Sequence, residues 1–258
     1  MRRLLVVTVL VLAAYTALLL AIHQLVADPG KTSAKARPSD KDDRRGNAAA
    51  AAKTGSIIGE VELAGKPPVP ARIDKSPDPV CARTGRHDES VVVSDGKLRD
   101  VHVRIAVGTA GKHSPPEIPA VINQLDCMYV PRVIGAMEGQ KIAIENSDPT
   151  YHNVRGSRGK RTLWNVGQPA RAPAIVREDA GKAGEVATLH CDVHPWMRAY
   201  AVITDHPYFA VTGDDGAFTI ADVPAGTYTL EAWHPELGLK STSITVRAGH
   251  VSKARFRF

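Results

Sequence analysis

The stretch HCDVHPWMRAYAVI, His190 to Ile203, holds one of the chain's three cysteines, two of its ten histidines and one of its four methionines within eight residues. A soft thiol, two imidazoles and a thioether stand there just ahead of a strand-like run, AYAVITD. In a sequence this poor in sulfur, donors gathered into one loop are expected to act together. Separately each has an ordinary explanation. A histidine after a turn is commonly a surface residue, a buried cysteine behaves as a small hydrophobe, and a methionine fills a core.

Working outward, the next pieces are GQKIAIENSDPTYHNV (139–154) and VATLHCDVHPWMRAYAVI (186–203). A strand ends in Asn-x-Asp, a His-Asn pair follows, and 39 residues after that histidine comes Cys-x-x-His-x-x-Met between two strands. In this pattern the segment 117–204 resembles the cupredoxins, the small blue copper proteins, in their amicyanin- and pseudoazurin-like branch. That resemblance implies a Greek-key β-sandwich holding one type 1 copper, with His152, Cys191, His194 and Met197 as ligands. It also implies that Asn153 ties the His152 loop to the ligand loop, with Asp192 as its suggested partner. The spacing suits the chemistry. Thiolate and imidazoles in a near-trigonal set, with a weak axial thioether, suit a copper that shuttles electrons. Zinc is the residual metal, although methionine is a poor zinc ligand.

The flanks of this segment are also β-like. DVHVRIAVG alternates Val101, Val103, Ile105 and Val107 against His102, Arg104 and Ala106, and the terminal KARFRF sets Phe256 and Phe258 opposite Arg255 and Arg257. Eighteen prolines and 21 glycines fit many turns. GSIIGEVELAGKPP resembles the opening strand, and DDGAFTIADVPAGTYTLEAWHPELG the closing half, of a carboxypeptidase regulatory-like (prealbumin-like) sandwich. The expected fold is therefore all-β, with the cupredoxin module inserted in, or packed on, a second Ig/prealbumin-like sandwich made of 55–111 and 205–258. The alternative is a C-terminal sandwich alone, with the early strands decorating the inserted module.

The chain begins MRRLLVVTVLVLAAYTALLLAIHQLVAD. From Leu4 to Ala27 it has no formal charge, long enough as a helix to span a bilayer. Residues 1–27 are expected to be an uncleaved signal-anchor rather than a cleaved signal peptide, whose A-x-A-like site is poor here. Arg2 and Arg3 favour a cytoplasmic N-terminus. Residues 28–54 are nearly devoid of large apolar side chains and are expected to be a disordered tether.

Charge excludes one class of partner. The formal +6 is concentrated in Arg2, Arg3 and the 28–53 segment, which leaves +1 from Thr54 onward. No zinc-finger, helix-turn-helix or RNP-like pattern appears, so nucleic acid is set aside. Cys191 is reserved as a thiolate, so Cys81 and Cys127 remain as an even pair, expected to form a disulfide in an exported protein.

The resulting expectation is a membrane-tethered electron carrier, not an enzyme, on the periplasmic or extracytoplasmic face of a bacterial inner membrane. Its partner would be a redox protein such as a c-type cytochrome or a dehydrogenase. Trp196, beside His194, is a candidate docking residue. So is the cationic group Arg155, Arg158, Lys160 and Arg161, in a stretch from Pro149 to Val176 without acidic residues. Two competing readings remain. One is a copper reductase or oxidase with an added type 2 centre, for which His190, His102, His206 and His234 are the spare imidazoles. The other is a binding module in which copper is structural or stored.

Overall fold

The computed structural model describes residues 53–258 apart from Arg86 and Lys112. The expected membrane span and most of the tether lie outside the described residues. Among the described residues no helix is long and apolar enough to cross a membrane. They form strands, with a single 3-10 turn at Cys81–Arg83.

Four sheets divide between two cores. In the outer pair, the strand Thr54–Glu62 lies antiparallel to Ala217–Pro224 and parallel to the last strand, Val251–Arg257. The facing sheet runs Phe209–Val211, His102–Ile105, Gly226–His234, Gly238–Val246. Ile57, Val61, Val103, Ile105, Phe218, Ile220, Leu230, Ile244 and Phe256 fill the space between these sheets. Strands from both ends of the chain thus close one β-sandwich, and the first strand can be a stable central strand only once the last has been made.

The second core lies between sheets built from residues 120–204. One sheet runs Arg161–Gln168, His152–Arg158, Val186–His190, Arg198–Thr204, Val133–Met137. The other runs Ile175–Arg177, Ile142–Asn146, Ala120–Leu125, Met128–Val130. Period-two patterning aims Ala187, Leu189, Ala199, Ala201 and Ile203 inward, where they meet Ile122, Ile142 and Ile144.

Alternation along DVHVRIAVG sets His102 on the face opposite Val101 and Val103, and that face is closed too: His102 is wholly buried, stacked on Phe209 at 5.2 Å. The strand is covered on both faces, by the outer core on one side and by Gly135 on the other. A Cβ at Gly135 would land 2.7 Å from His102 Nε2, so glycine is what lets the two elements approach.

Neither ring nitrogen of His102 has a hydrogen-bond partner. Burial, with Arg104 and His206 adding repulsion, pushes its pKa down to about 3, and burial takes His234 down to about 4. These rings are neutral when folded but take a proton near 6.5 when unfolded. Their contribution is therefore complete above pH 6.5 and is lost as pH falls, toward 3 for His102 and toward 4 for His234, each ring giving up about 1.4 kcal/mol for every pH step of one across its own window. Urea unfolding at pH 7 and pH 4 should show a steep acid loss that His102→Leu makes shallower. An equally steep loss in that variant would show that the imidazole is not responsible.

Candidate metal centre

The turn that delivers His152 is built by one side chain. At the end of its strand, Asn146 donates from Nδ2 to the carbonyls of Thr150 (3.1 Å) and Pro169 (2.9 Å), and accepts from the Asp148 N–H (3.0 Å). The chain therefore doubles back within five residues, and His152 opens the next strand opposite Gln168.

The second loop follows the strand Val186–His190. Its alternation continues one residue further, so Cys191 points into the core while His190 lies on the other face. The loop returns to Arg198 directly opposite His190. It is closed by Met197 N–H to His194 O (2.9 Å) and Cys191 N–H to Met197 O (3.3 Å). Six residues of separation are thereby folded into one compact turn, with Met197 fully buried in the same core as Cys191.

These loops bring Cys191, His152 and His194 together, with one ligand-type atom from each lying within 4.8 Å of the others. His152 Nδ1 is 2.9 Å from His194 Nδ1, and Cys191 Sγ is 3.7 Å from His194 Nδ1. All three residues are essentially excluded from solvent. Burial alone would raise the Cys191 thiol. Hydrogen bonds from the His152 and His194 imidazoles and from the backbone of Asn153 and His194 outweigh it and bring the pKa down to about 6. The thiol is poised to be a thiolate at neutral pH, the form that binds metals.

The donor set fits a soft or borderline ion. Bonds of about 2.3 Å to sulfur and 2.0 Å to nitrogen can span a 3.7 Å separation with the ion between. Two Nδ1 atoms at 2.9 Å beside a thiolate also demand a cation, whether a proton or a metal.

The far nitrogens are occupied as well. His152 Nε2 lies 2.9 Å from Asp148 Oδ2, and His194 Nε2 lies 3.0 Å from Asp78 Oδ2. Burial disfavours ionisation of both carboxyls, but hydrogen bonds to them prevail and hold both below the usual range. Sequence patterning pointed to neither carboxylate. Asp148 stands four residues before His152 in a stretch already marked. Asp78 lies 116 residues from His194, and no local pattern could link them.

Asn153 clamps the two loops. Its Oδ1 accepts from the N–H groups of Asp192 and Val193, and its Nδ2 donates to Asp192 Oδ2 (3.1 Å) and Asn165 Oδ1 (2.7 Å). Cys81 and Cys127 form a disulfide, with Cα atoms 5.5 Å apart. It lies against the site, Cys81 Sγ being 3.7 Å from His194 Nε2.

The docking candidates are placed less favourably. Trp196 is packed against the core, its Nε1 donating to Cys127 O at 2.9 Å and its ring 5.2 Å from that of His194. The exposed apolar residues of this loop are Val193 and Pro195 instead. Arg155 pairs with Asp192 (2.9 Å), and Arg158 with Glu185. Lys160 and Arg161 occupy the hairpin after Arg158, at the opposite end of the strand from His152. Six residues of strand rise put them about 20 Å away. At more than twice the physiological Debye length of about 8 Å, they do not form a field at the metal end. His190 contacts Arg155 and Asp192. The other spare imidazoles, His102, His206 and His234, join no metal-ligand cluster among the described residues.

Comparison with known proteins gives partial likenesses. Residues 179–254, under a third of the chain, match the model of polysaccharide lyase family 4, domain II. No curated protein matches the chain. Among solved structures, a reduced Cu(I) form of an amicyanin variant at pH 4 is 20% identical, covering 35% of this chain and 91% of its own, with a TM-score of 0.29. Amicyanin from Paracoccus versutus is 17% identical over 39% of this chain and 97% of its own, with a TM-score of 0.29. A novel purple cupredoxin from Nitrosopumilus maritimus is 17% identical over 33% of this chain and 99% of its own, with a TM-score of 0.27. At these values they assign no role to any residue, and the centre is read from its own geometry.

Proposed function

We propose that the protein is a type 1 copper protein that passes single electrons between redox partners, held by its N-terminal segment to the outer face of a bacterial inner membrane. The observation that carries this reading is the convergence of Cys191 Sγ with the Nδ1 atoms of His152 and His194 in a buried pocket. Met197 closes the same loop. Hard cations prefer oxygen donors, and a sulfur- and imidazole-rich set suits copper better.

When bound there, copper supplies a one-electron couple, and the chain's residues provide the rest. Cys191 contributes a thiolate already favoured at neutral pH. His152 and His194 are held at Nε2 by Asp148 and Asp78, which leaves both Nδ1 atoms for the ion. Asn153 locks the two ligand loops to one another, so the donor set has little freedom to rearrange between oxidation states. The buried Cys81–Cys127 disulfide supports an oxidising compartment. The partner is proposed to be a c-type cytochrome or a dehydrogenase. Its docking face would include Val193 and Pro195, whose exposed side chains lie on the ligand loop.

Copper content and the visible spectrum of the oxidised full-length protein test the reading. One copper per chain with an intense thiolate-to-copper band is expected, and a colourless protein with no bound copper would overturn it. Met197→Leu should keep the colour and raise the reduction potential, because only a weak thioether donor would be lost. A bleached variant would make Met197 a principal ligand instead.

A further inference from the structure

We infer that Asp78, carried in from the outer sandwich, is a positioning residue for the metal centre, acting together with Asp148 to hold the two imidazoles with Nδ1 facing Cys191. The inference rests on the copper reading above and deepens it: the outer sandwich would be part of what sets the properties of the centre.

The argument starts from what each carboxylate oxygen accepts. Asp78 Oδ1 takes the N–H groups of Val80 (2.7 Å) and Cys81 (3.2 Å), capping the turn Cys81–Arg83. Its Oδ2 takes the Thr150 hydroxyl (2.9 Å) and faces His194 Nε2 (3.0 Å). A carboxylate only accepts, so Nε2 must carry the proton, and the lone pair of His194 is confined to Nδ1. Asp148 does the same for His152. Its Oδ2 accepts from Cys127 N–H and from His152 Nε2, both at 2.9 Å. A partner on the far nitrogen fixes tautomer and ring orientation and raises ligand basicity.

The residue type matters at position 78. Backbone donors occupy one oxygen and an imidazole donor the other, so both atoms must be acceptors. Asparagine has the same shape but only one acceptor. In either amide orientation, an N–H group would face another donor.

The segment that brings Asp78 is anchored independently of it. The Cys81–Cys127 disulfide ties it to the inserted module. The fully buried Lys75 amine donates to Thr84 Oγ1 (2.9 Å) and to Asp126 O (3.0 Å) on the same side. Asp78 can therefore be altered without releasing the segment.

Asp78→Asn and Asp148→Asn, made in the full-length chain, test the inference, with Thr150→Val as the control that removes a neighbour on Asp78 Oδ2 and leaves the imidazole contact. Copper affinity is read by chelator competition, and the reduction potential by titration. Both Asn variants should bind copper about 10–100-fold more weakly. Their potentials should rise, because a less basic imidazole stabilises the oxidised ion less, and a purely structural role would not move the potential of the folded, loaded fraction. Thr150→Val should stay near wild type. Imidazole nitrogen NMR of the metal-free protein should show Nε2 protonated on both rings, with the His194 signal alone displaced in Asp78→Asn. If wild type takes up copper with its visible band, and both Asn variants match it in affinity and potential, the positioning role is wrong while the copper reading stands. If wild type takes up no copper, the copper reading fails, and this inference with it.

Discussion

Replacing Cys191 with serine should abolish the visible band and, with it, tight copper binding. Serine is nearly isosteric and would leave His152 and His194 in place, but its hydroxyl does not ionise near neutrality. The environment of Cys191 is arranged for an anion. Two imidazoles and the backbone of Asn153 and His194 hydrogen-bond the sulfur strongly enough to overcome burial and lower its pKa to about 6. Without that negative charge the two Nδ1 atoms at 2.9 Å lose the group that best offsets a cation between them. Absorption spectra and copper content of the purified variant give the measurement. A variant that kept the band would show that the sulfur is not a ligand, and the whole donor set would have to be abandoned.

The same thiol gives a pH dependence in the metal-free protein. A cysteine whose pKa falls from about 9 in the unfolded chain to about 6 in the folded one stabilises the fold fully above pH 9. That contribution is lost as pH falls through 6. The buried histidines lose theirs over an overlapping acid range. Acid sensitivity is thus expected from the Cys191 pocket as well as from the buried histidines, and His102→Leu relieves only the histidine part.

Much of this architecture was legible because its signals are local. The period-two runs around Leu189 and Ile220 each describe a strand with one buried face, and they fold that way. The pairing of Cys81 with Cys127 followed from parity once Cys191 was set apart. The parts that were not legible are those fixed by distant contacts. His102 looks outward to anyone counting alternation, because nothing nearby reveals that Gly135, 33 positions on, covers its second face. Trp196 reads as an exposed aromatic until Cys127 O supplies its partner. The cationic run after Asn153 reads as lying near the ligand end. In fact, a seven-residue strand carries Lys160 and Arg161 away, and the acidic partners of Arg155 and Arg158 come from the loop residues just outside the two ends of the strand Val186–His190. Asp78 is the extreme case, a residue whose role depends on a loop more than a hundred positions away.

Removing the Cys81–Cys127 bridge should have the second large effect, this time on stability. The bridge spans 46 residues, and closing a loop of that length in the unfolded chain is worth about 4 kcal/mol on the chain-entropy view. Its contribution should exceed that figure's purely entropic basis, because both sulfurs are wholly buried and the bridge anchors the segment carrying Asp78. The double variant Cys81→Ala, Cys127→Ala avoids leaving buried hydroxyls or free thiols near the metal ligands. Urea unfolding of the metal-free protein should show a clearly lower midpoint for this variant. Its copper affinity should fall as well, although Cys191, His152, His194 and Met197 are untouched, because Asp78 loses one of the ties that hold it against His194. If the midpoint fell and the affinity did not, Lys75 and the hydrogen bonds of Asp78 would suffice to hold the segment. An unchanged midpoint would mean that the bridge contributes nothing to the fold, which a 46-residue loop with two buried ends makes hard to reconcile with the structure.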